Sequence, residues 1–460
     1  MYQIDFHTPV HVHFTGIGGI SMSGLSEILL DAGFTISGSD SSRSALTERL
    51  ENLGASIHYG QRAENIKNDI DVVVYTAAVH PDNPEFAAAV SAGIPMLTRA
   101  ELLGQIMCNY RTAIAVAGTH GKTTTTSMLS TLLLEAGKDP TITVGGILPE
   151  IGGNIRVGSS DTFLTEACEY TNSYLSFHPT VSIILNIEED HMDFFKDLSD
   201  IRSSFHRFAG LLPEDGLLVL NGEISAPEEI TEGVRAKIVT YGLTGKEDYS
   251  TRAESITYDD RGCASFVLYH GKESIGPVTL NVPGIHNVSN ALAALAAALE
   301  LGVGFGDAVS GLSAFHGTQR RFQYKGERNG VTIIDDYAHH PTEIRATLTT
   351  AAHYPHRELW CVFQPHTYTR TQAFLKDFAQ ALSLADHVVL TDIYAAREQN
   401  TIGISSLDLQ KELRQLGADC SYFSSFEEVE KFLQKKCMHG DLLITMGAGD
   451  VLKIGENLLS

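Results

Sequence analysis

The run VAGTHGKTTTT, residues 116–126, places two glycines, a lysine and then four consecutive threonines in sequence. It is close to the phosphate-loop pattern G-x-x-x-x-G-K-[ST], but Gly118 and Gly121 are too near each other for the usual spacing. The chemistry it offers is phosphate binding. Backbone N–H groups of Gly118, Thr119, His120 and Gly121, with Thr123 and Thr124 opening a helix, can converge on an anion. Lys122 adds a point charge for the outer phosphates, and the Thr123 hydroxyl can reach Mg2+. Threonines are poor helix formers, so four at a helix start need a reason. A plain Gly/Thr turn with an N-cap is the alternative.

Further along, FLTEACEY (163–170) sets Glu166 and Glu169 at a strand end, and EEDHMD (188–193) brings His191. Mg2+ needs only one or two carboxylates beside phosphate oxygens, so Thr123 with Glu166 suits one ion, and His191 could help a second. GIHNVSN (284–290) begins a helix with His286, Asn287 and Asn290; the two amides share a face and suit a purine edge, or simply cap the helix. Near the N-terminus, GIGGIS (16–21) gives a glycine turn with Gly16, Gly18, Gly19 and Ser21, and Asp40 ends the next strand, where an acid can hold a ribose hydroxyl. The last third carries Asp336 with His339 and His340, then His366 with Arg370, then Asp392 with Arg397 and Glu398. Basic and imidazole groups thus gather after successive strands of an acidic chain. Arg320 and Arg321 precede them and could reach a phosphate.

These groups need strands to present them, because ligands of open parallel sheets bind outside the carboxyl ends of the strands. Buried apolar runs at 112–118, 181–187, 331–336, 359–364, 387–393 and 441–447 predict strands, separated by helical periodicity. Segments 10–33, 34–40 and 71–76 predict a strand–turn–helix and two further strands. Residues 212–283, with CASFVLYHG after the turn DDRG, predict a small antiparallel add-on. The expected class is α/β in three domains. These are a Rossmann-like N-terminal domain (1–109), a P-loop-type central ATPase domain with the add-on (110–316), and a C-terminal Rossmann-like α/β domain (317–460).

A length of 460 residues accommodates three domains, and a net charge of −23 argues against nucleic-acid or membrane-surface partners. The six cysteines show no pairing rhythm, MYQIDFHTPV is unlike a signal peptide, and no apolar run of about 18 residues occurs. A cytoplasmic protein is expected.

Together, HFTGIGGISMSG, GTHGKTTTT, NIEEDHMD, GIHNVSNALAA, RRFQ, DDYAHHPTEI and FQPHTYTRT closely resemble the Mur ligase family over essentially the whole chain. The resemblance implies ATP-dependent joining of an amino acid, here L-alanine, to the lactyl carboxylate of UDP-N-acetylmuramate through an acyl phosphate, with ATP and Mg2+ required. It implies that residues 118–124 hold the ATP phosphates and that Thr123 and Glu166 ligate a first Mg2+ and His191 a second. His286 and Asn287 fall at the adenine side, and Asp336 on the ATP side. Arg321 falls where the transferred phosphate is met. His339, His366 and Arg370 fall near the amino acid and reaction centre, and the glycine turn with Asp40 on the UDP-sugar side. A monomer or weak homodimer is expected. Where many relatives read E-A-D-E-S-D, this chain has Glu166-Ala167-Cys168-Glu169-Tyr170-Thr171, so neighbouring substrate contacts must differ. A nicotinamide-dependent oxidoreductase would leave 118–124 unexplained, and a non-catalytic nucleotide-binding regulator would leave the His/Arg edge without purpose. Lys122→Ala is expected to abolish nucleotide turnover; normal ADP release by that variant, measured by a coupled assay, would refute the loop reading.

Overall fold

The computed structural model describes residues 2–76, 78–243, 248–396 and 398–460. Three sheets, met in chain order, organise them. The first has five parallel strands, with His11–Thr15 at its centre, Thr35–Asp40 on one side and Val72–Tyr75 on the other. Its strand runs are short and apolar because both faces are covered, and Val12, Phe14, Val72 and Val74 are fully buried.

The second sheet has ten strands. Thr112–Ala117 lies between Thr162–Ala167 and Val181–Ile184, parallel to both. The strands Leu217–Asn221 and Lys237–Gly242 continue it in parallel. Beyond them, on this side of the sheet, the pairing turns antiparallel through Thr251–Tyr258, Cys263–His270 and Glu273–Pro283, as it does at the other edge between Thr141–Leu148 and Gly153–Arg156. The add-on expected over 212–283 is therefore narrower than its sequence suggests. It also shares the central sheet, because Thr251–Tyr258 pairs with Lys237–Gly242 at Tyr241 and Gly242. The third sheet has six strands, with Leu442–Met446 between Val331–Asp336 and Leu359–Phe363.

Two helices bind the central sheet to its ligand-facing edge. Lys122–Glu135 is buried on nearly every face, including Thr123 to Thr126, so the threonine run lies in the core rather than against water. Ile285–Glu300 packs against it with an alanine- and leucine-rich buried face.

The first and second sheets meet where the helix Arg99–Met107 crosses the turn at Tyr170–Ser176. Gly104 sits at that crossing, and a Cβ there would lie 1.9 Å from the Ser176 carbonyl oxygen. Backbone cannot yield cheaply, so Gly104→Ala is expected to destabilise the protein by about 1–3 kcal/mol, read as a lowered urea midpoint with unchanged slope.

Candidate active site

The strand Thr112–Ala117 ends in Gly118, and the helix Lys122–Glu135 begins after Gly121. Both glycines adopt positive φ, +148° and +84°. A Cβ on Gly118 would meet Leu185 Cβ at 2.9 Å, and one on Gly121 would meet Asn290 Oδ1 at 2.5 Å. Only glycine lets the turn pass this closely over the neighbouring strand end. The turn is locked from below by Asn186. Its Oδ1 accepts from His120 N at 2.7 Å, its Nδ2 donates to His120 O at 3.0 Å, and its backbone O accepts from Thr119 N at 3.1 Å. Two of the expected phosphate donors, the N–H groups of Thr119 and His120, are therefore engaged within the protein. The cradle narrows to the helix start at 121–124, where Gly121 provides no side-chain cap.

Lys122 folds back over this start. Its Nζ donates to Gly118 O, to Thr119 O at 3.1 Å and to Glu169 Oε2 at 3.0 Å. Burial opposes its charge, but the Glu169 carboxylate, with Cys168 and Glu166 nearby, keeps the ammonium above its ordinary value. Thr123 Oγ1 donates to Glu166 Oε2 at 3.1 Å, so the two oxygens expected to bind Mg2+ are already adjacent. His191 stands off at the far side of Glu169, with Nε2 3.8 Å from Glu169 Oε1, and stacks on Tyr170 at 4.5 Å between ring centroids. The donor set of hydroxyl, carboxylates and an ammonium fits a triphosphate with a hard cation.

The segment 188–190 joins the second and third sheets. Thr342 Oγ1 donates to Glu188 Oε2 at 2.6 Å, and His340 Nε2 lies 3.0 Å from Glu189 O. Arg370 donates from Nε and Nη2 to Asp190 Oδ1, at 3.2 and 2.8 Å. The guanidinium beside it holds the buried Asp190 carboxyl well below its usual range, against the opposing effect of burial. The same guanidinium meets His366 Nδ1 from Nη1 at 3.2 Å. The resemblance places Arg370 near the amino acid, where a guanidinium fork could take a carboxylate with two parallel bonds. Its fork is instead held by Asp190, and it acts as a bridge between sheets.

His120 completes the junction. Its Nε2 is 3.5 Å from Glu188 and its Nδ1 3.3 Å from Glu343, the latter on the helix Pro341–Ala351. Burial works against protonation, yet the two carboxylates push the imidazole up to about 9. Glu343 also accepts from His339 N at 3.1 Å and from His340 N at 3.3 Å, the latter closing the capping box of its own helix with N-cap His340. Pro341 opens that helix, where its missing N–H leaves no intrahelical bond unmade.

A cavity of about 190 Å³ lies over the helix start, lined by His286, Asn287, Asn290, Arg321 and Asp336 among others. The expected nucleotide residues are thus brought together. Asn287 is less available than expected: its Nδ2 donates to Pro283 O at 2.8 Å and its Oδ1 accepts from Asn290 at 3.1 Å. Burial pushes the Asp336 carboxyl up to about 6, against the pull of Arg321, and its oxygens accept from Phe322 N and Ala338 N. Arg321 rests over the Tyr337 ring, 5.2 Å from its centroid. Arg320 is a structural tie rather than a phosphate ligand. Its Nε bonds Asp335 at 3.0 Å and its Nη atoms bond the carbonyls of Gly447 and Gly449.

A larger cavity of about 1100 Å³ opens between all three sheets, bordered by Arg99, Tyr170, Asp190, His191, His366 and Arg370. Burial lowers both His339 and His366 to about 4, so each is neutral near pH 7. The glycine turn near the N-terminus sits outside this lining. There, Gly18 N donates to Asp40 Oδ2 at 2.8 Å, so Asp40 braces its own loop, and Ser21 Oγ accepts from Arg99 at 3.1 Å. Asp392 accepts from Tyr422 and Glu398 from Tyr368 N and Thr369 N, while Arg397 lies outside the described residues. Arg99, Asn186, Asp190 and Glu343 were not singled out from sequence. Only Asn186, a lone amide closing an apolar strand, carried a local signal.

Three family models match the chain in register with the three sheets. The Mur ligase family catalytic domain matches residues 11–111, the Mur ligase middle domain residues 116–298, and the Mur ligase glutamate ligase domain residues 320–449. The chain belongs to the Mur ligase family. Among curated Mur ligases, the UDP-N-acetylmuramate–L-alanine ligase of Agathobacter rectalis is 62% identical over 459 residues, and that of Lachnospira eligens is 59% identical over 460; all of each chain is covered. Among solved structures, the UDP-N-acetylmuramate-alanine ligase of Thermotoga maritima superposes with a TM-score of 0.79 at 29% identity, covering 98% of each chain. A murein peptide ligase from Psychrobacter arcticus, another member, gives 0.71 at 26% identity, again covering 98% of each.

The His120 bridge makes this Mur ligase pH-dependent with a defined sign. The folded value of about 9 exceeds the ordinary 6.5, so the bridge's stabilisation is complete below about pH 6.5 and is lost as pH rises through about 9. The urea midpoints of wild type and His120→Gln are expected to differ most below pH 6.5 and to converge above about pH 9.

Proposed function

We propose that this chain is an ADP-forming ligase that joins L-alanine to the lactyl carboxylate of UDP-N-acetylmuramate, in peptidoglycan precursor synthesis. One observation carries the reading. The phosphate turn and the imidazole/guanidinium edge of the third sheet meet through residues 188–191 around cavities of one continuous junction. Full-length relatives bearing that ligase name support it. The division into 1–109 for the UDP-sugar, 110–316 for ATP and 317–460 for the amino acid belongs to the same reading, as does a cytoplasmic monomer or weak homodimer. Among the described residues, no helix is long and apolar enough to cross a membrane.

The residues assigned to ATP are Gly121, Lys122, Thr123 and Thr124 for the phosphates, His286 and Asn287 for the base side, and Asp336 and Arg321 flanking the same cavity. Thr123 and Glu166 hold a first Mg2+ and His191 a second. ATP supplies the phosphoryl group that turns an unreactive carboxylate into an acyl phosphate, and Mg2+ offsets the charge. Lys122 and Arg321 contribute positive charge where it builds up.

The amine of alanine must be neutral when its nitrogen attacks the acyl carbon and phosphate departs. His339 is assigned as its proton acceptor. Its Nδ1 lies 3.0 Å from Tyr337 O, a contact that fixes the proton on Nδ1 and so puts the lone pair on Nε2. His366 is the weaker choice, because its Nδ1 already receives Arg370. His366 and the Nη1 edge of Arg370 then orient the amino acid. Cys168 and Thr171 border the sugar side of the large cavity.

Phosphate release is expected only when ATP, UDP-N-acetylmuramate and alanine are all present; release without either of the last two would overturn the proposal. His339→Ala is expected to lower kcat about 10²–10⁴-fold with little change in alanine KM, measured by phosphate release. Glycine and serine are expected to be slow substrates, since one methylene discriminates by only about 1–3 kcal/mol.

A further inference from the structure

His120, Glu188 and His340 come from three separate places in the chain and meet at one point. His120 lies in the turn before the helix Lys122–Glu135, Glu188 follows the strand Val181–Ile184, and His340 caps the helix Pro341–Ala351 in the third domain. One ligand atom from each lies within 4.8 Å of the other two. The two imidazole rings are 4.6 Å apart between centroids. None of the three is assigned to Mg2+ or to the reacting groups above.

The two imidazoles share one pattern. His120 Nε2 is buried and has no hydrogen-bond partner among the described residues, while Glu188 Oε2 stands 3.5 Å away. Its other nitrogen, Nδ1, is 3.3 Å from Glu343 Oε1. His340 donates from Nε2 to Glu189 O at 3.0 Å, which leaves its lone pair on Nδ1, met by Thr342 N at a long 3.3 Å. Each ring thus faces an oxygen from one nitrogen and can offer the other, once His120 gives up its proton. Histidines that hold a metal are oriented in this way.

Around a tetrahedral ion bound at about 2.1 Å, ligand atoms stand about 3.4 Å apart. His120 and Glu188 are already close to that spacing, and His340 has at most about 1.4 Å to cover. Two nitrogens and one oxygen select a borderline ion such as Zn2+ over Mg2+, which prefers oxygen ligands. The cavity of about 190 Å³ is lined by His120 and Glu188, so it gives the ion a way in and leaves room for a water as fourth ligand.

We propose that His120, Glu188 and His340 form a binding site for a Zn2+-class divalent ion, and that the bound ion staples the phosphate turn to the third domain and slows turnover. Binding forms two metal–nitrogen bonds and one metal–oxygen bond and releases the His120 proton to solvent; no electron moves. The carboxylates that hold that proton, Glu188 and Glu343, stay to offset the charge of the ion. A turn fastened to the neighbouring domain loses the freedom to adjust to a nucleotide entering the same cavity.

The test is calorimetric titration of the full chain, free of nucleotide, with Zn2+. Wild type is expected to take up Zn2+, and excess Mg2+ is not expected to displace it. His340→Asn, which keeps an N-cap acceptor, and Glu188→Gln, which keeps an oxygen for Thr342, are each expected to weaken Zn2+ at least about tenfold. No uptake by wild type, or undiminished affinity in both variants, overturns the site; displacement by Mg2+ overturns the class of ion. The Co2+ spectrum of wild type, which needs no variant, is expected to show nitrogen and oxygen ligation; a thiolate charge-transfer band would place the ion on a cysteine and overturn the site. At a buffered free Zn2+ concentration, phosphate release by wild type is expected to fall more than that of His340→Asn, each against its own zinc-free rate, and equal inhibition overturns the staple. The titrations use no substrate, so their outcome is separate from that of the ligase reading.

Discussion

The rest of the active cleft depends on a close passage of backbone over backbone. The turn at Gly118–Gly121 crosses the end of the strand Val181–Ile184 with no room for a Cβ. Asn186 grips it there through both ends of its amide. That crossing fixes where Lys122 emerges and aligns Thr123 with Glu166. It also brings the chain after the strand, residues 188–191, to the boundary with the third sheet. A change in the turn would therefore shift the cation site, the metal oxygens and the interdomain junction together.

At that junction, each residue of the acidic run 188–190 has a partner on the third sheet's side. The Arg370–Asp190 pair among them is largely buried, so its strength comes from geometry and mutual satisfaction rather than from bare attraction. His120 and Glu343 extend this to the phosphate turn itself. Glu343 contacts His120 on one side and the backbone of His339 on the other. The nucleotide loop and the assigned proton acceptor are thus separated by a single carboxylate, a short mechanical path between two chemical roles.

Much of this was legible in the chain. Apolar strands such as 112–118 and 331–336 announced themselves because strands covered on both faces must be uniformly hydrophobic. The loop, the acidic strand ends and the His/Arg edge followed from residue type at those ends. What escaped were relationships set by distant partners. Periodicity marks the strands within 212–283 but not their neighbours, so their membership of the central sheet was hidden. Arg320 and Arg321 are indistinguishable by type, and both guanidiniums lie over the Tyr337 ring, at 4.8 and 5.2 Å; Arg320 is the one also tied to Asp335 and to the carbonyls of Gly447 and Gly449. Glu343 and Arg99 belong to capped helix starts whose local pattern is ordinary. Their importance lies in what faces them from another sheet.

The Lys122–Glu169 pair has one more implication. An arriving anion meets an ammonium that already has a carboxylate and two carbonyls around it. A lone, weakly charged ion offers too little to displace them, whereas a polyanion carrying its own metal can bind Lys122 and release Glu169 toward His191 in one exchange. On the proposed reading, the pair would set a threshold on charge density, so that the seat would favour chelated polyphosphates over the simple salts that surround it.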